Sequence, residues 1–407
     1  MASKIGNNLP RIKVSNQSAI RETIYKFGPI SRTDIANRLN LTFPTITTNI
    51  NLMISEGLLE EKDSESIPGS RGRKTMLVDY VPSSRLFLGV EMRRHASYAT
   101  IVDLRGRTLA YSSRKVFHDS YEGSMKEALD TALTMMDEKG YSWKDLSGFG
   151  FCLPGIVDSE KGILDIHPRF KWKELNVKED VERATGCTVP ITVLNNTCAR
   201  VYGASLFNCE VFKGADYAAY MCVGSGIKCP LVFSLRDTFG TIVGEGEVGH
   251  MVMDPDGPVC RCGNHGCLES YASDSSLIDS AYRAIERGES TILEEMSKTR
   301  RITVDDIVTA EAMGDDFSLS LVTKAVKYLS LAIANANNFV KPDCTVVESR
   351  LFKIERNRKM LEEYVRSNLS WSSILEYDLS FVDYREEGGA RGAAAAAIRD
   401  NLQIFME

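Results

Sequence analysis

Between residues 16 and 61 the apolar positions recur at helical spacing in three short runs. Ile20 and Ile24, one turn apart, predict a helix over about residues 16–26 that ends at Gly28-Pro29. Ser31-Arg32-Thr33-Asp34 offers a capping box, and Ile35, Ala36 and Leu39 follow at helical spacing. A third helix begins near Leu41-Thr42-Phe43-Pro44, with Thr42 or Phe43 at the cap and Pro44 in the first helical position. It continues through Ile46, Ile50, Met53 and Ile54 to a stop at Gly57. Residues 58–62 and 75–81 then read as two strands joined by a polar loop containing Pro68-Gly69-Ser70-Arg71-Gly72-Arg73-Lys74.

Three helices followed by a two-stranded wing predict a winged helix-turn-helix domain over residues 1–82. The third helix carries Thr45, Thr47, Thr48, Asn49 and Asn51 at positions expected to be exposed, short polar side chains suited to base edges and phosphates. Arg32 and Thr42 join them at the helix starts. Arg71, Arg73 and Lys74 at the wing tip, spaced by glycines, suit a minor groove where negative potential is concentrated. Charge agrees with this placement: residues 1–82 hold 11 Lys and Arg against 8 Asp and Glu, a net of +3, which leaves −9 of the overall −6 for the remainder. The rival for the head is a small three-helix dimerisation or interaction module with a solvated basic loop.

A chain of 407 residues exceeds what one core usually fills, and 43% hydrophobic with 26% charged residues is ordinary globular composition. No apolar run of about 18 residues and no apolar N-terminal core occurs, so a cytoplasmic chain without membrane insertion is expected. Of the ten cysteines, Cys260, Cys262 and Cys267 cluster, with Gly263 and Gly266 allowing tight turns between them. With one histidine, His250 or His265, they make a closed tetrahedral shell for a structural zinc ion.

The segment Glu247-x-Gly249-His250 through Cys260-x-Cys262-Gly263-x-x-Gly266-Cys267-Leu268-Glu269 resembles the signature of the ROK family, which contains bacterial sugar repressors and sugar kinases. The likeness extends to Leu153-Pro154-Gly155-Ile156-Val157-Asp158, Leu194-Asn195-Asn196, Val223-Gly224-Ser225-Gly226-Ile227 and Gly388-Gly389-Ala390-Arg391-Gly392-Ala393. An N-terminal winged head is similar to the branch that represses N-acetylglucosamine, glucose and xylose genes. The resemblance implies an α/β, actin-like body of the sugar kinase and Hsp70 type in two lobes: residues 83–200, with the helix of 388–407 returning to them, and residues 201–387 with the zinc loop. It implies that Glu247, His250 and Glu269 meet sugar hydroxyls, with Asn195 and Asn196 beside them, and that His250 also faces the zinc. Arg169 and Trp172, after the Pro-Gly loop, are further ligand candidates.

The kinases of such a family need a carboxylate base and glycine-rich phosphate turns. Here Asn196 stands where the resemblance places the base, and an amide takes no proton. Glu91-Met92-Arg93-Arg94-His95 replaces the first phosphate turn. The second continues Lys228-Cys229-Pro230 where glycines are expected, and Glu348-Ser349-Arg350 replaces a late glycine pair. The expectation is therefore a protein that is not an enzyme: a homodimer or tetramer whose heads bind a palindromic operator and whose body senses a sugar or sugar phosphate. Loss of charge at 196 is expected to ease a phosphorylated ligand. The rivals are a sugar kinase with a regulatory head and a pseudo-kinase scaffold answering to a protein partner.

Overall fold

The computed structural model describes residues 9–63, 75–116, 119–167, 170–233, 241–243, 246–370 and 377–404. The wing tip with Arg71, Arg73 and Lys74, and also Arg169, lie outside the described residues. The chain divides into two units, one of residues 1–207 with 387–407 and one of residues 208–386.

The first unit opens with α1 (Leu9–Phe27), which starts well before residue 16, and a two-residue strand β1 (Ile30–Ser31). In α2 (Arg32–Leu39) the Ser31 side chain accepts from the Asp34 amide at 3.0 Å and donates to the Asp34 carboxylate, while Asn40 closes the helix in the left-handed region. Thr42, not Phe43, caps α3 (Phe43–Ser55), and its hydroxyl meets the Thr45 amide at 3.4 Å. The wing strands β2 (Leu59–Asp63) and β3 (Met76–Tyr80) are antiparallel, and β1 adds to β3 as a third strand. Ile20, Ile24, Ile35, Ile46, Ile50, Val78 and Tyr80 are all fully buried and form the head's core.

The rest of this unit is a five-stranded sheet of order β11-β7-β4-β5-β6, with β4 (Leu86–Met92), β5 (Ala96–Asp103) and β6 (Thr108–Lys115) an antiparallel meander. After α4 (Tyr121–Lys139), β7 (Leu146–Leu153) runs parallel to β4. Three short strands, β8 (Ile156–Asp158), β9 (Ile163–His167) and β10 (Trp172–Leu175), make a separate antiparallel sheet. After α5 (Val177–Thr185), the last strand β11 (Ile191–Asn195) passes directly into α6 (Asn196–Phe207), so the boundary falls past residue 200.

The second unit carries β12 (Ala218–Val223), β13 (Ile227–Lys228), β14 (Leu231–Phe233), β15 (Thr241–Val243), β16 (Cys344–Glu348) and β17 (Leu379–Val382) in one sheet. Strands β12, β16 and β17 are parallel. The helices α7 (Glu269–Ala272), α8 (Asp274–Glu286), α9 (Leu293–Ser297), α10 (Val304–Ala312), α11 (Asp316–Val340) and α12 (Glu355–Asn368) accompany it. By length and composition α11 could cross a membrane, but Val322, Val326, Leu329 and Ile333 lie in the unit's core.

The final helix α13 (Gly388–Asn401) returns to the first unit with Ala390, Ala393, Ala394 and Ala396 buried. It rests directly on strand backbone. Leu88 and Val90 turn to the α4 side, so Gly89 between them turns to α13, where a Cβ would run into the Ala390 carbonyl. Gly150 meets Ala393 in the same way, and Gly392 meets Ala199 of α6. Because the obstacle is backbone, Gly150→Ala is expected to lie at the upper end of the roughly 1–3 kcal/mol that overpacking costs. Urea unfolding measures this loss, and a wild-type midpoint in the variant would contradict the close seat of α13.

Candidate functional site

Four ligand atoms from His250, Cys260, Cys262 and Cys267 lie within 4.8 Å of one another. The Cys260 sulfur is 3.7 Å from His250 Nδ1, and the Cys262 sulfur is 3.7 Å from that of Cys267. A tetrahedral zinc with sulfur at about 2.3 Å sets its ligands about 3.8 Å apart, so the donors fit that ion in number, softness and spacing. The loop is shaped independently of a metal. Cys260 N donates to Asn264 O at 2.7 Å, Gly266 N to Pro258 O at 2.7 Å, and Gly266, at φ +62°, abuts the Asp254 carbonyl. His265 is not in the cluster; its Nδ1 lies 3.4 Å from the Gly257 carbonyl.

His250 turns two edges to two tasks. While Nδ1 faces the thiols, Nε2 lies 3.9 Å from Glu247, whose carboxylate is about half exposed. Glu269, two residues after Cys267, begins α7 with a carboxylate oxygen against Gly226, close enough that a Cβ there would sit 3.0 Å from it. Burial holds the Glu269 carboxyl above its ordinary range, although the neighbouring His250 pulls the other way. The Glu247 and Glu269 carboxylates therefore both lie on the Cys3His loop's own unit. Lys228 takes a part that no local pattern announces: its ammonium lies 2.9 Å from Glu247 and occupies one of that carboxylate's oxygens.

On the first unit, Asn195 is committed to the backbone. Its Nδ2 donates to Gly155 O at 2.6 Å, and its Oδ1 accepts from Thr197 N at 2.8 Å, satisfying a free amide at the start of α6. Asn195 is thus a brace for the turn, with one amide hydrogen left over. The Asn196 amide donates to Glu91 Oε1 at 3.1 Å and faces the Met92 carbonyl at 3.4 Å. Glu91 itself is buried and takes Arg93 at 2.7 Å on its other oxygen. Trp172 packs with His167, Phe170 and Tyr121 in an aromatic cluster, which is packing rather than an open contact.

The three places where glycine turns were expected to be lost hold self-complementary ion pairs. Glu91 pairs with Arg93, Lys228 with Glu247, and Arg350 with Asp274 at 2.6 Å and with Glu386. Ser349 caps the turn after β16 by accepting from Leu351 N.

In the head, Thr42 and Thr48 are exposed and Thr45 and Thr47 partly so. Asn49 is a correction: it is 8% exposed, and its Nδ2 donates to Thr45 O at 2.8 Å. Its place three residues after Ile46 and four before Met53 puts it on the apolar face of α3. Arg32 binds Glu61 at 2.8 Å and Asn51 Oδ1 at 2.8 Å, tying α2 to the wing and to α3. Phe43, 51% exposed at the start of α3, is an apolar group on this face that the sequence left as a capping alternative.

A winged head, an actin-like α/β body and a Cys3His loop beside paired carboxylates define the class: a sugar-kinase fold fitted with a nucleic-acid-binding type of domain. The profile of the ROK family matches residues 87–400, and the chain belongs to that family. It is 24% identical over 362 residues to the xylose repressor of Bacillus subtilis (strain 168), covering 88% of this chain and 87% of that protein. The crystal structure of a ROK family transcriptional regulator, a homolog of the E. coli Mlc protein, matches with TM-score 0.77 at 24% identity, covering 96% of each chain. A ROK family glucokinase from Streptomyces griseus, solved with glucose and AMPPNP, matches with TM-score 0.64 at 21% identity over 77% of this chain and 99% of its own.

Proposed function

We propose that the chain is a sugar-responsive transcriptional repressor of the cytoplasm, in which an inactive kinase-like body senses a sugar and the winged head binds operator DNA. The observation that carries this is the joint state of the site residues. Glu91, Lys228 and Arg350 fill the places of phosphate turns with internal ion pairs, while Glu247, His250 and Glu269 remain grouped beside the metal cluster. Recognition of hydroxyls needs acceptors and donors in fixed positions; phosphoryl transfer needs a base and amide cradles as well. Asn196 offers no base.

The metal is zinc, held by His250, Cys260, Cys262 and Cys267. With four protein ligands it supplies no chemistry to a ligand, and it fixes the loop that presents His250 and Glu269. On the second unit Glu247, His250 Nε2 and Glu269 accept from or donate to hydroxyls, and on the first unit Asn196 is a hydroxyl contact of its own. Thr42, Thr45, Thr48 and Phe43 of the head face base edges and thymine methyls, and Arg71, Arg73 and Lys74 enter the minor groove. Two copies bind paired half-sites, as a homodimer or a tetramer. The sugar acts by preferring one of two conformations that differ in operator affinity.

Selection of bound fragments from random DNA, followed by anisotropy titration against a panel of free and phosphorylated sugars at fixed salt, tests this reading. Recovered fragments are expected to share an inverted repeat, and one sugar is expected to change their affinity by about 5–150-fold. Hexose-dependent ATP consumption by the pure protein, with no DNA selected, would favour the kinase reading instead.

A further inference from the structure

The sensing reading leaves open what the ligand presents to Asn196, and the atoms around that residue answer it. Asn196 is the first residue of α6, and its Nδ2 faces two acceptors, Glu91 Oε1 at 3.1 Å and Met92 O at 3.4 Å. Its Oδ1 is buried and has no hydrogen-bond partner among the described residues. The orientation of the amide is not free to reverse. Turning Oδ1 toward Glu91 would set two acceptors against each other next to a carboxylate that is 1% exposed and backed by Gly389, where even a Cβ would strike it. Glu91 therefore fixes which end of Asn196 is left over, and what is left over is an acceptor alone.

We infer that Asn196 Oδ1 receives a donor, a free hydroxyl of an unphosphorylated sugar, and that Glu91 is the specificity-determining residue that sets this polarity. The inference rests on the sugar-sensing reading. A phosphate oxygen is an acceptor at neutral pH and meets Oδ1 unfavourably, so the loss of a charge at 196 does not open the site to a phosphorylated ligand. The carboxylate absent at 196 is present at 91, on β4, two strands across the sheet from β11. Its charge is shared with Arg93 at 2.7 Å, so the selection arises from hydrogen-bond direction rather than from net charge.

The test measures dissociation constants of the full-length protein by calorimetry for glucose, N-acetylglucosamine and xylose and for their 6- or 5-phosphates. Wild type is expected to take one free sugar about tenfold or more tighter than its phosphate. In Glu91→Gln the new amide can donate to Asn196 Oδ1, the Asn196 side chain can turn, and the preference is expected to fall to within about threefold or to reverse. Asn196→Ala, at the half-buried first position of α6, where alanine suits a helix, serves if the Glu91 substitution does not fold. It is expected to weaken the free sugar about tenfold with no gain for the phosphate. A wild-type preference for the phosphate, equal affinities, or an unchanged ratio in both variants overturns the inference while leaving sugar sensing intact. Absence of binding by every member of the panel overturns sugar sensing itself, and this inference with it.

Discussion

Cys267→Ser is expected to take zinc from one per chain to none, to lower the melting temperature by roughly 10 °C and to abolish sugar binding. The size follows from what the metal holds. Structural zinc contributes roughly 10–16 kcal/mol to the folding of finger peptides, which have no other core. Here backbone bonds such as Met253 N to Gly266 O at 2.8 Å and Cys260 N to Asn264 O already shape the loop, and the unit has its own core. A fraction of that energy, several kcal/mol, therefore remains at stake, and a domain of this size loses roughly 2–4 °C per kcal/mol. Loss of sugar binding follows from position: Glu269 comes two residues after Cys267, and His250 is itself in the donor set.

Cys267 is fully buried, so its substitution also perturbs packing. Cys262 is exposed, and Cys262→Ser removes a donor without touching the core. Both variants are expected to lose the metal and the ligand response, with the smaller fall in stability for Cys262→Ser. A chelator should reproduce the change in wild type, and added zinc should reverse it. Metal-free protein that melts and binds sugar as before would refute a structural role for the ion.

The cluster was legible in the sequence because its ligands are close along the chain and thiolates at such spacing have few other uses. Local signals served the head equally well: the Ser31 side-chain cap on the Asp34 amide and the Thr42 cap act within four residues. Where local pattern was read incompletely, the structure shows why. Pro10, in the first turn of α1, marked a start earlier than residue 16, and the spacing of Ile46, Asn49, Ile50 and Met53 already placed Asn49 on the apolar face. What could not be read is the pairing of groups distant in sequence. Asn196 meets Glu91 across 105 residues, and the seat of α13 on Gly89 and Gly150 joins opposite ends of the chain. Such contacts are set by topology, not by periodicity, and they decide whether a polar residue faces a ligand or a neighbour.

Arg105→Ala is expected to leave sugar affinity unchanged and to cut the sugar-induced change in operator affinity by about tenfold. Arg105 lies in the β5–β6 turn, where Nη1 donates to Tyr25 O of α1 at 2.7 Å and Nη2 pairs with Asp79 of β3. Its guanidinium faces the rings of Tyr25 and Tyr80 at 4.9 and 5.6 Å. Around it Tyr25 donates to Leu104 O, Leu104 N donates to Pro82 O at 3.0 Å, and Arg21 reaches Leu402 O beyond α13 at 3.2 Å. The same turn touches the far end of α6, the helix that begins at Asn196: Gly106 packs against Phe207, its last residue, and Arg391 of α13 donates to Gly106 O at 2.8 Å. One helix thus runs from Asn196 to the base of the head. Hydrogen bonds to a charged group contribute about 1.5–3 kcal/mol each, and losing them lets the head move independently of α6. Coupling between the sites then falls, because a ligand shifts the head only through elements whose two arrangements it biases. Anisotropy titrations of DNA with and without saturating sugar, beside calorimetry of the sugar alone, separate the two effects. A full sugar response in Arg105→Ala would place the coupling elsewhere, and Arg105→Lys, which keeps the charge without the fork, is expected to fall between the two.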